Sequence, residues 1–251
     1  MISIRHRNER GQVDLGWLNS QHSFSFGDYY DPEHMGYSAL RVINDDQVAP
    51  SAGFSRHGHR NMEIISYVLE GEMVHQDSQD NQQKLVAGEV QLMSAGRGIE
   101  HSEYNASSDS TLKFLQIWIE PNVLDQAPSY QQRPFPNETG WTTLVTPDGR
   151  NDSLKIKQDM SLRQLILLPS QNMQLDLIQG RRVYFQQVKG ELKMEALTLQ
   201  AGDGAKLESG LSNALGVINA RDVINAADAS KQVTLTNDGS VASTTLVFDL
   251  P

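Results

Sequence analysis

The chain has 251 residues, with 38% hydrophobic and 21% charged residues and a formal net charge of -10 at pH 7. This composition is typical of a folded globular protein, and the length suits one large β domain or two domains of ordinary size. The acidic balance argues against a nucleic-acid partner, and the absence of cysteine excludes disulfides, thiolate nucleophiles and Cys-ligated metal sites.

Short segments rich in apolar, β-branched and aromatic residues recur between turn residues along the chain, which is typical of an all-β sandwich or barrel. In chain order they are ALRVIN (39–44), EIISYVLEG (63–71), EVQLMSAG (89–96), LKFLQIWIEP (112–121), RQLILLP (163–169), RRVYFQQVKG (181–190) and TTLVFDLP (244–251). Only GWLNS (16–20) and the region around NVLDQAP (122–128) are expected to form short helical turns.

A proline-rich polar segment divides the chain. Residues 121–136 contain four of the nine prolines, and proline interrupts a strand ladder, so we expect a domain linker here. Residues 67–96 and 186–210 on either side share a pattern of strand, glycine turn and strand, followed by Ala-Gly and an acidic residue. Two copies of one β-barrel unit would explain this pattern. We therefore predict domains at 1–133 and 134–251.

All seven histidines lie in the first 101 residues, at positions 6, 22, 34, 57, 59, 75 and 101. In a strand, residues i and i+2 point to one face about 6.5–7 Å apart. The segment GFSRHGHRNMEII (53–65) places His57 and His59 in this relation, and GRGIEHSEYN (96–105) does the same for His101 and Glu103. Two such pairs on facing strands of a small barrel would bring four ligands to one metal ion.

Three imidazoles and a carboxylate suit Fe, Mn, Co, Ni, Cu or Zn better than Ca or Mg. An octahedral ion with four protein ligands would keep two positions open, as catalytic sites do. The second copy of the repeat has no histidine, so a His-ligated metal is expected in the first copy alone.

Other side chains compete for a place in this site. Glu63 has the same strand parity as the two histidines of the first pair, and spacing alone does not separate it from Glu103. His75 is expected to bond to Asp77 or to backbone rather than to metal, and His22, within an aromatic segment, is expected to be structural. Residues near the ligand strands that would line a pocket, or equally form ordinary core, are Phe54, Met62, Met73 and Met93.

The sequence resembles the pirin family within the cupin superfamily. The resemblance runs almost unbroken from about residue 17 to 121 and rests on HSFSFGDYYDP, MGYSALRVINDD, HGHRNMEIISYVLEGEMVHQDS, SAGRGIEHSEYN and QIWIEP. The second half matches weakly, through its length, LKIKQDM and the terminal LVFDLP. Ser94 stands where the general second cupin motif has proline, and His101 lies two positions later than that motif's histidine; the pirin-type arrangement accommodates both departures.

The resemblance implies a bicupin, two antiparallel jelly-roll-like β-barrels packed face to face, with a metal in the N-terminal barrel and none in the C-terminal barrel. It implies His57, His59, His101 and Glu103 as metal ligands. It therefore favours Glu103 over Glu63 as the carboxylate ligand, and leaves Glu63 a supporting or alternative role. Among the suitable divalent metals, Fe(II) is expected first, with Zn, Mn, Co, Ni or Cu as alternatives.

Bacterial proteins of this type resemble quercetin 2,3-dioxygenases. The implied reaction is the opening of a flavonol ring by O₂ with release of carbon monoxide, with Glu103 as the catalytic base that takes the flavonol hydroxyl proton. The alternative is a non-catalytic, metal-binding regulator of a protein partner, acting as a redox switch. An isomerase or sugar-binding cupin is disfavoured, because no lysine or carboxylate pair suggests itself at a cavity mouth.

The sequence also yields expectations about location and assembly. The N-terminus becomes charged within five residues, and no apolar stretch approaches the ~18 residues of a membrane span. We therefore expect a cytoplasmic protein without a membrane or direct nucleic-acid partner. A monomer is preferred, because each barrel would find a partner within the chain.

Overall fold

The computed structural model describes residues 2–208 and 232–251. These residues form β-strands and two short 3₁₀ turns, Arg7–Glu9 and Arg150–Asp152, with no α-helix among them. Within the same residues, no helix is long and apolar enough to cross a membrane. The all-β prediction is confirmed.

The strands are numbered here in chain order. They are β1 Ile2–Arg5, β2 Gly11–Asp14, β3 Leu18–His22, β4 Leu40–Val48, β5 Gly53–His59, β6 Glu63–Glu70, β7 Glu72–Asp77, β8 Gln82–Val86, β9 Glu89–Ser94, β10 Ile99–Asn105, β11 Leu112–Ile119, β12 Ser129–Pro134, β13 Gly140–Thr146, β14 Leu154–Lys155, β15 Ser161–Leu167, β16 Asn172–Asp176, β17 Arg182–Lys189, β18 Glu191–Met194, β19 Leu197–Gln200, β20 Gly204–Glu208, β21 Gln232–Thr236 and β22 Ser243–Leu250.

The first compact unit, called the N-unit here, comprises Arg10–Pro136 and Val145–Asp159. Its larger sheet has the order β12-β9-β6-β11-β4-β3-β2 and its smaller sheet the order β5-β10-β7-β8. One apolar cluster packs around Phe114 and Met73, and a second around Ile64 and Met93.

The second unit, the C-unit, comprises the residues up to Glu9, Asn137–Leu144 and the described part of Met160–Pro251. Its larger sheet has the order β1-β20-β17-β22-β15-β13, and its smaller sheet the order β16-β21-β18-β19. The last two residues of β13 pair in parallel with β14 and belong to the N-unit. The strand order of the N-unit is therefore repeated, with β20, β17, β22 and β15 in the places of β9, β6, β11 and β4. This agrees with the duplicated unit expected from the sequence.

The units are discontinuous along the chain, whereas the predicted division has a single boundary at residue 133. The N-terminal strand joins the C-unit, because β1 pairs with β20 from Ile2↔Leu207 to Arg5↔Gly204. The strand occupies the edge position that β12 takes in the N-unit. Conversely, residues 145–159 belong to the N-unit, where the backbone N–H of Lys157 donates to Glu63 at 3.2 Å.

All the segments predicted as strands are strands, but two local expectations were wrong. Residues 18–20 of the predicted helical turn GWLNS belong to the strand Leu18–His22, which pairs antiparallel with β4, and residues 122–128 are irregular. The proline-rich segment is not only a linker, because β12 forms within it and pairs with β9 from Ser129↔Ser94 to Pro134↔Glu89. Proline is tolerated here because β12 is an edge strand with one side unpaired.

Candidate metal centre

A row of buried polar side chains crosses the larger sheet of the N-unit. Cross-strand pairing aligns His22 with Asn44, Asn44 with Gln116, Gln116 with Ser66, and Ser66 with Gln91. All five residues are buried. Because buried polar groups cost free energy unless they are hydrogen bonded, such a row in the centre of a sheet points to a function other than packing.

The smaller sheet contributes the histidines. In the pairing of β10 with β5, His101 lies opposite His57, and Glu103 lies opposite Phe54. The register shifts between these two pairs, with one residue more on β5 than on β10. Such a β-bulge re-aims side chains, and bulges are frequent beside active sites. Here it places both Phe54 and His57 opposite the buried residues of β10.

Three imidazoles converge at this point. Single ligand atoms of His57, His59 and His101 all lie within 4.8 Å of one another. The ring centroids are 4.5 Å apart for His57 and His101 and 4.8 Å apart for each of the other two pairs. The Nε2 atoms of His57 and His101 are 3.1 Å apart. Two nitrogens, each about 2.1 Å from one metal and at right angles, would be about 3.0 Å apart, so the spacing fits shared coordination.

The protonation of these histidines also suits metal binding. Burial lowers the pKa of His101 to about 3, with further lowering from His57 and His75. Burial likewise lowers the pKa of His59 to about 4, assisted by His101 and His57 and opposed by Glu103. Both rings are therefore neutral at pH 7, as a metal ligand requires. Nδ1 of His57 is 2.7 Å from the carbonyl oxygen of Ser55 and donates a hydrogen bond to it, which leaves the lone pair of Nε2 free to bind a metal.

Glu103 is buried on the same strand and is held by two donors. The Ser66 hydroxyl donates to Oε1 at 3.0 Å, and the Gln116 side-chain amide donates to Oε2 at 2.7 Å. Glu103 also forms a compact group with His75 and His101, in which single ligand atoms lie within 4.8 Å of one another. The polar row of the larger sheet thus fixes the carboxylate that the sequence analysis assigned to the metal.

The competing side chains have other partners. Glu63 accepts a hydrogen bond from the Ser94 hydroxyl at 2.7 Å as well as the one from Lys157, and it belongs to the larger sheet. Its parity argument failed because β5 ends at His59 and β6 begins in another sheet, so the alternation does not continue across the turn. Burial raises the pKa of Glu63, and the hydrogen bonds from Ser94 and Lys157 oppose this.

His75 and His22 lie where the sequence analysis expected them. Nε2 of His75 is 3.2 Å from Oδ2 of Asp77. His22 is buried against aromatic rings, edge-on to Phe26 at 5.4 Å and to Tyr29 at 6.3 Å. Burial lowers the pKa of His22.

A cavity of about 330 Å³ lies between the loop after β3 and Trp118. The ring of Trp118 lines it and also contacts the ring of His59, with centroids 4.9 Å apart and nearly perpendicular planes. The loop after β3 forms the outer wall, and the Arg41 guanidinium donates to the carbonyl of Met35 within it. The apolar and aromatic side chains that line the cavity are Phe26, Tyr29, Tyr30, Met35, Val42, Met62 and Trp118.

Of the lining residues suggested by the sequence, only Met62 borders this cavity. Met73 and Met93 are fully buried in the apolar clusters, and Phe54 packs edge-on against Trp17 at 5.2 Å. The sequence analysis missed Trp118 and assigned the aromatic residues after β3 to a structural cluster around His22. The sequence signal for the cavity wall was the high density of aromatic residues in HSFSFGDYYDP, because a single buried histidine does not need so many aromatic neighbours.

The C-unit has a different composition at the matching place. There β21 lies between β16 and β18, as β10 lies between β5 and β7. Leu235 pairs with Met173 and Met194, where Glu103 pairs with Phe54 and His75. Val233 pairs with Leu175, where His101 pairs with His57. Apolar side chains thus fill the position of the metal ligands.

Comparison with known proteins places this chain in a family. The family model described as Pirin matches residues 3–119, and the model described as Quercetinase C-terminal cupin domain matches residues 143–215. A protein of Escherichia coli K12 named quercetin 2,3-dioxygenase is 48% identical over 204 residues, covering 81% of this chain and 88% of that protein. The chain belongs to the pirin family. A pirin-like protein of Caulobacter vibrioides is 40% identical over 212 residues, covering 83% of this pirin and 91% of the relative.

Solved structures agree. The crystal structure of YhhW from Escherichia coli superposes on this pirin with a TM-score of 0.89 at 41% identity, covering 100% of this chain and 98% of that one. A second structure, of bacterial pirin YhhW in complex with nickel(II), gives a TM-score of 0.88 at 41% identity, covering 100% and 99%. The cupin fold predicted from the sequence is confirmed.

Proposed function

We propose that this pirin is a metal-dependent dioxygenase that opens the ring of a flavonol such as quercetin with O₂ and releases carbon monoxide. The observation that carries the proposal is a cluster of three imidazoles, one of which contacts Trp118 in the wall of an aromatic cavity. The relatives named quercetin 2,3-dioxygenase support the substrate class.

The proposed metal ligands are His57, His59, His101 and Glu103, and the proposed metal is Fe(II). The convergence of the three rings, the 3.1 Å separation of the Nε2 atoms of His57 and His101, and the lowered pKa values of His101 and His59 support the three histidines. Glu103 lies in the same compact group as His101. Each of its carboxylate oxygens accepts one hydrogen bond and retains a lone pair, so either oxygen can bind the metal. The nickel(II) complex of YhhW supports a divalent transition metal and makes Ni(II) the first alternative.

When bound, the metal would act as a Lewis acid on the flavonol 3-hydroxyl and favour its deprotonation. Glu103 is the proposed base for that proton. Ser66 and Gln116 each donate to one of its oxygens, which fixes the carboxylate beside the histidines. A carboxylate held in this way can receive a proton without moving, as efficient general-base catalysis requires.

The aromatic cavity is the proposed binding place for the flavonol rings. Its lining of Phe26, Tyr29, Tyr30 and Trp118 offers ring faces and edges to a flat aromatic molecule. The Trp118 indole N–H is buried and has no acceptor among the residues that the structure describes, so it can donate to an oxygen of the substrate.

The test is aerobic consumption of quercetin with detection of carbon monoxide, after reconstitution with Fe(II) and, in parallel, with Ni(II). His101→Ala is expected to lose bound metal and turnover together. His6→Ala is the matched control, because His6 lies in the C-unit, where its ring is 3.9 Å from a carboxylate oxygen of Asp203. It should retain both properties.

A Glu103→Gln variant separates binding from chemistry. It should retain most of the metal through the three histidines and lose turnover by about 10²–10⁴-fold, the usual contribution of a general base. If unaltered protein holds metal but releases no carbon monoxide from quercetin, the dioxygenase proposal is wrong. The regulator of a protein partner then becomes the better hypothesis.

A further inference from the structure

The aromatic cavity beside Trp118 has a single charged side chain, Arg41, among the described residues that line it. The rest of the lining is apolar, aromatic or small, and within the same residues it contains no acid. A guanidinium is always charged in proteins and carries five N–H donors. Arg41 therefore adds charge recognition to a cavity that otherwise offers ring faces and edges.

A β-bulge in β4 explains how Arg41 reaches this cavity. In the pairing of β11 with β4, Trp118 lies opposite Val42. The next residue, Ile119, lies opposite Leu40, which leaves Arg41 as an extra residue on β4. Neighbouring residues of a regular strand point to opposite faces, yet Arg41 and Val42 both line the cavity. Bulges re-aim side chains in this way and are frequent beside active sites.

The contacts of Arg41 leave most of its donors unused. Its Nη1 donates to the carbonyl of Met35, which lines the same cavity, so the guanidinium lies at the cavity wall. Gly36 lies against the stem of this side chain, since a Cβ added there would be 3.7 Å from Cδ of Arg41. No carboxylate of residues 2–208 and 232–251 forms an ion pair with Arg41. Most of its N–H groups therefore remain available to a bound molecule.

The acidic residues of the loop after β3 do not supply the missing counter-charge. Asp31 accepts a hydrogen bond from the Tyr29 hydroxyl at 3.2 Å and lies 3.0 Å from Nδ1 of His34. Asp28 and Glu33 are exposed, and neither lines the cavity. The cavity thus has a positive charge in its wall that favours a ligand with a negatively charged group.

We propose that Arg41 is a specificity-determining residue of the cavity: it binds an anionic oxygen, of a carboxylate or a phenolate, on an aromatic ligand. Arginine often binds such groups through two parallel hydrogen bonds, which fixes orientation as well as adding affinity. The rings of the ligand then lie against Phe26 and Trp118, and the Trp118 ring contacts that of His59.

This assignment rests on the proposed function in one respect, the use of the aromatic cavity as the substrate site, and it does not depend on the reaction. In a flavonol, the 3-hydroxyl is assigned to the metal. Arg41 then takes an ionised hydroxyl elsewhere on the rings. Aromatic molecules without an acidic group are poorer ligands.

A purely structural role is the competing explanation, because Arg41 also holds the Met35 carbonyl in the loop. A single carbonyl needs one donor and neither a charge nor a planar fork. The two explanations differ in what they predict for ligands of equal shape and different charge.

The probes are cinnamate and cinnamamide, two flat aromatic molecules of nearly the same shape, of which only the first is charged. Their dissociation constants are measured at pH 7 by isothermal titration calorimetry on the full-length protein, loaded with Zn(II) and, in parallel, without metal. We expect cinnamate to bind about tenfold more tightly than cinnamamide in both samples. Equal affinities, or no binding of either probe, would overturn the proposal without any variant. A preference present only with Zn(II) would show that the carboxylate binds the ion, and would also overturn it.

Three variants locate the preference. Arg41→Met removes the charge and keeps an unbranched stem, so the preference for cinnamate should disappear while cinnamamide affinity stays within about twofold. Arg41→Lys keeps a charge and a donor for Met35 without the planar fork, and should retain about a threefold preference. Arg133→Met is the matched control, because it removes the same charge from β12, where Arg133 is 3.5 Å from Asp152. It should leave both affinities unchanged.

The remaining outcomes separate the hypotheses. If Arg41→Met weakens both probes equally, Arg41 only supports the loop and the proposal is wrong. If Arg133→Met removes the preference as well, the effect is a long-range field and not a local contact, and the proposal is again wrong. If the preference depends on Arg41 but quercetin is not consumed, the dioxygenase proposal fails and the role of Arg41 stands. If quercetin is consumed but the probes bind equally, only the role of Arg41 fails.

Discussion

Asp46 offers a sharp test of the electrostatics of the polar interior. It lies on β4 opposite Ser20 of β3 and Phe114 of β11, and it is 3% exposed. Its Oδ1 makes no hydrogen bond within the described ranges. Burial raises its pKa from 3.8 to about 7; the charges of Asp45 and Glu103 add to this, and Ser20 opposes it.

The direction of the effect on stability follows from this shift. The folded protein keeps the proton of Asp46 up to about pH 7, whereas the unfolded chain releases it near pH 3.8. The free energy of unfolding therefore falls as the pH rises from about 4 to about 7. At 1.36 kcal/mol per pH unit, the loss is about 4 kcal/mol at pH 8 and about half of that at pH 5.5.

The perturbation is Asp46→Asn, which keeps the shape and removes the charge. Urea unfolding of metal-free wild type and variant, followed by circular dichroism at pH 5.5 and pH 8, gives the free energy of unfolding of each. From pH 5.5 to pH 8, the free energy of unfolding of the wild type should fall by about 2 kcal/mol relative to that of the variant. Asp28→Asn, at an exposed carboxylate, should stay within about 0.5 kcal/mol of the wild type at both.

The comparison between two pH values removes any constant cost of the new amide. A difference between variant and wild type that is the same at pH 5.5 and pH 8 would refute the reasoning. It would mean that Asp46 is ionised in the folded protein at both values, through water or a donor that reaches Oδ1.

Three further substitutions test the surroundings of the site. Glu63→Ala removes the acceptor for the buried Ser94 hydroxyl and for the backbone N–H of Lys157, and we expect a loss of about 1–3 kcal/mol in urea unfolding; an unchanged midpoint would contradict this role. Gly11→Ala would place a Cβ 2.4 Å from the ring of Tyr29, so weaker quercetin binding with unchanged metal content is expected in fluorescence titration. Asn105→Ala deprives three backbone carbonyls of their donor at the end of β10, and a fall of several degrees in melting temperature is expected; equal melting curves would show that water replaces the amide.

The sequence alone predicted those features that depend on residues close together in the chain. Alternation and apolar runs located the strands, and the i, i+2 rule paired His57 with His59 and His101 with Glu103, which share faces of β5 and β10. The resemblance to pirins supplied what spacing left open, the preference for Glu103 over Glu63.

Non-local features were not accessible in the same way. β1 belongs to the C-unit because it pairs with β20, about 200 residues away in the sequence. The local sequence of β1, ISIR, does not predict this pairing. The edge strand β12 was not predicted because its segment is rich in proline. Proline frequency does not show whether a strand has two neighbours, where proline is excluded, or one, where it is tolerated. The cavity wall also depends on tertiary structure, because Trp118 becomes a wall only when β11 brings its ring against His59.

The contrast between the units shows how one strand order supports both a candidate site and an apolar core. In the C-unit, the buried amide of Gln187 donates to Ser243 at 2.8 Å and accepts from Thr245 at 2.5 Å, so this polar group is satisfied within the fold. In the N-unit, buried atoms of Asn44 and His101 have no partner among the described residues. Unpaired polar groups cost free energy, whereas burial of a side chain such as Leu235 stabilises by about 1.5–3 kcal/mol. At the positions of the candidate metal ligands, the N-unit therefore gives up stability where the C-unit gains it. That difference is expected of a site whose polar atoms complete their bonds with an ion and a substrate.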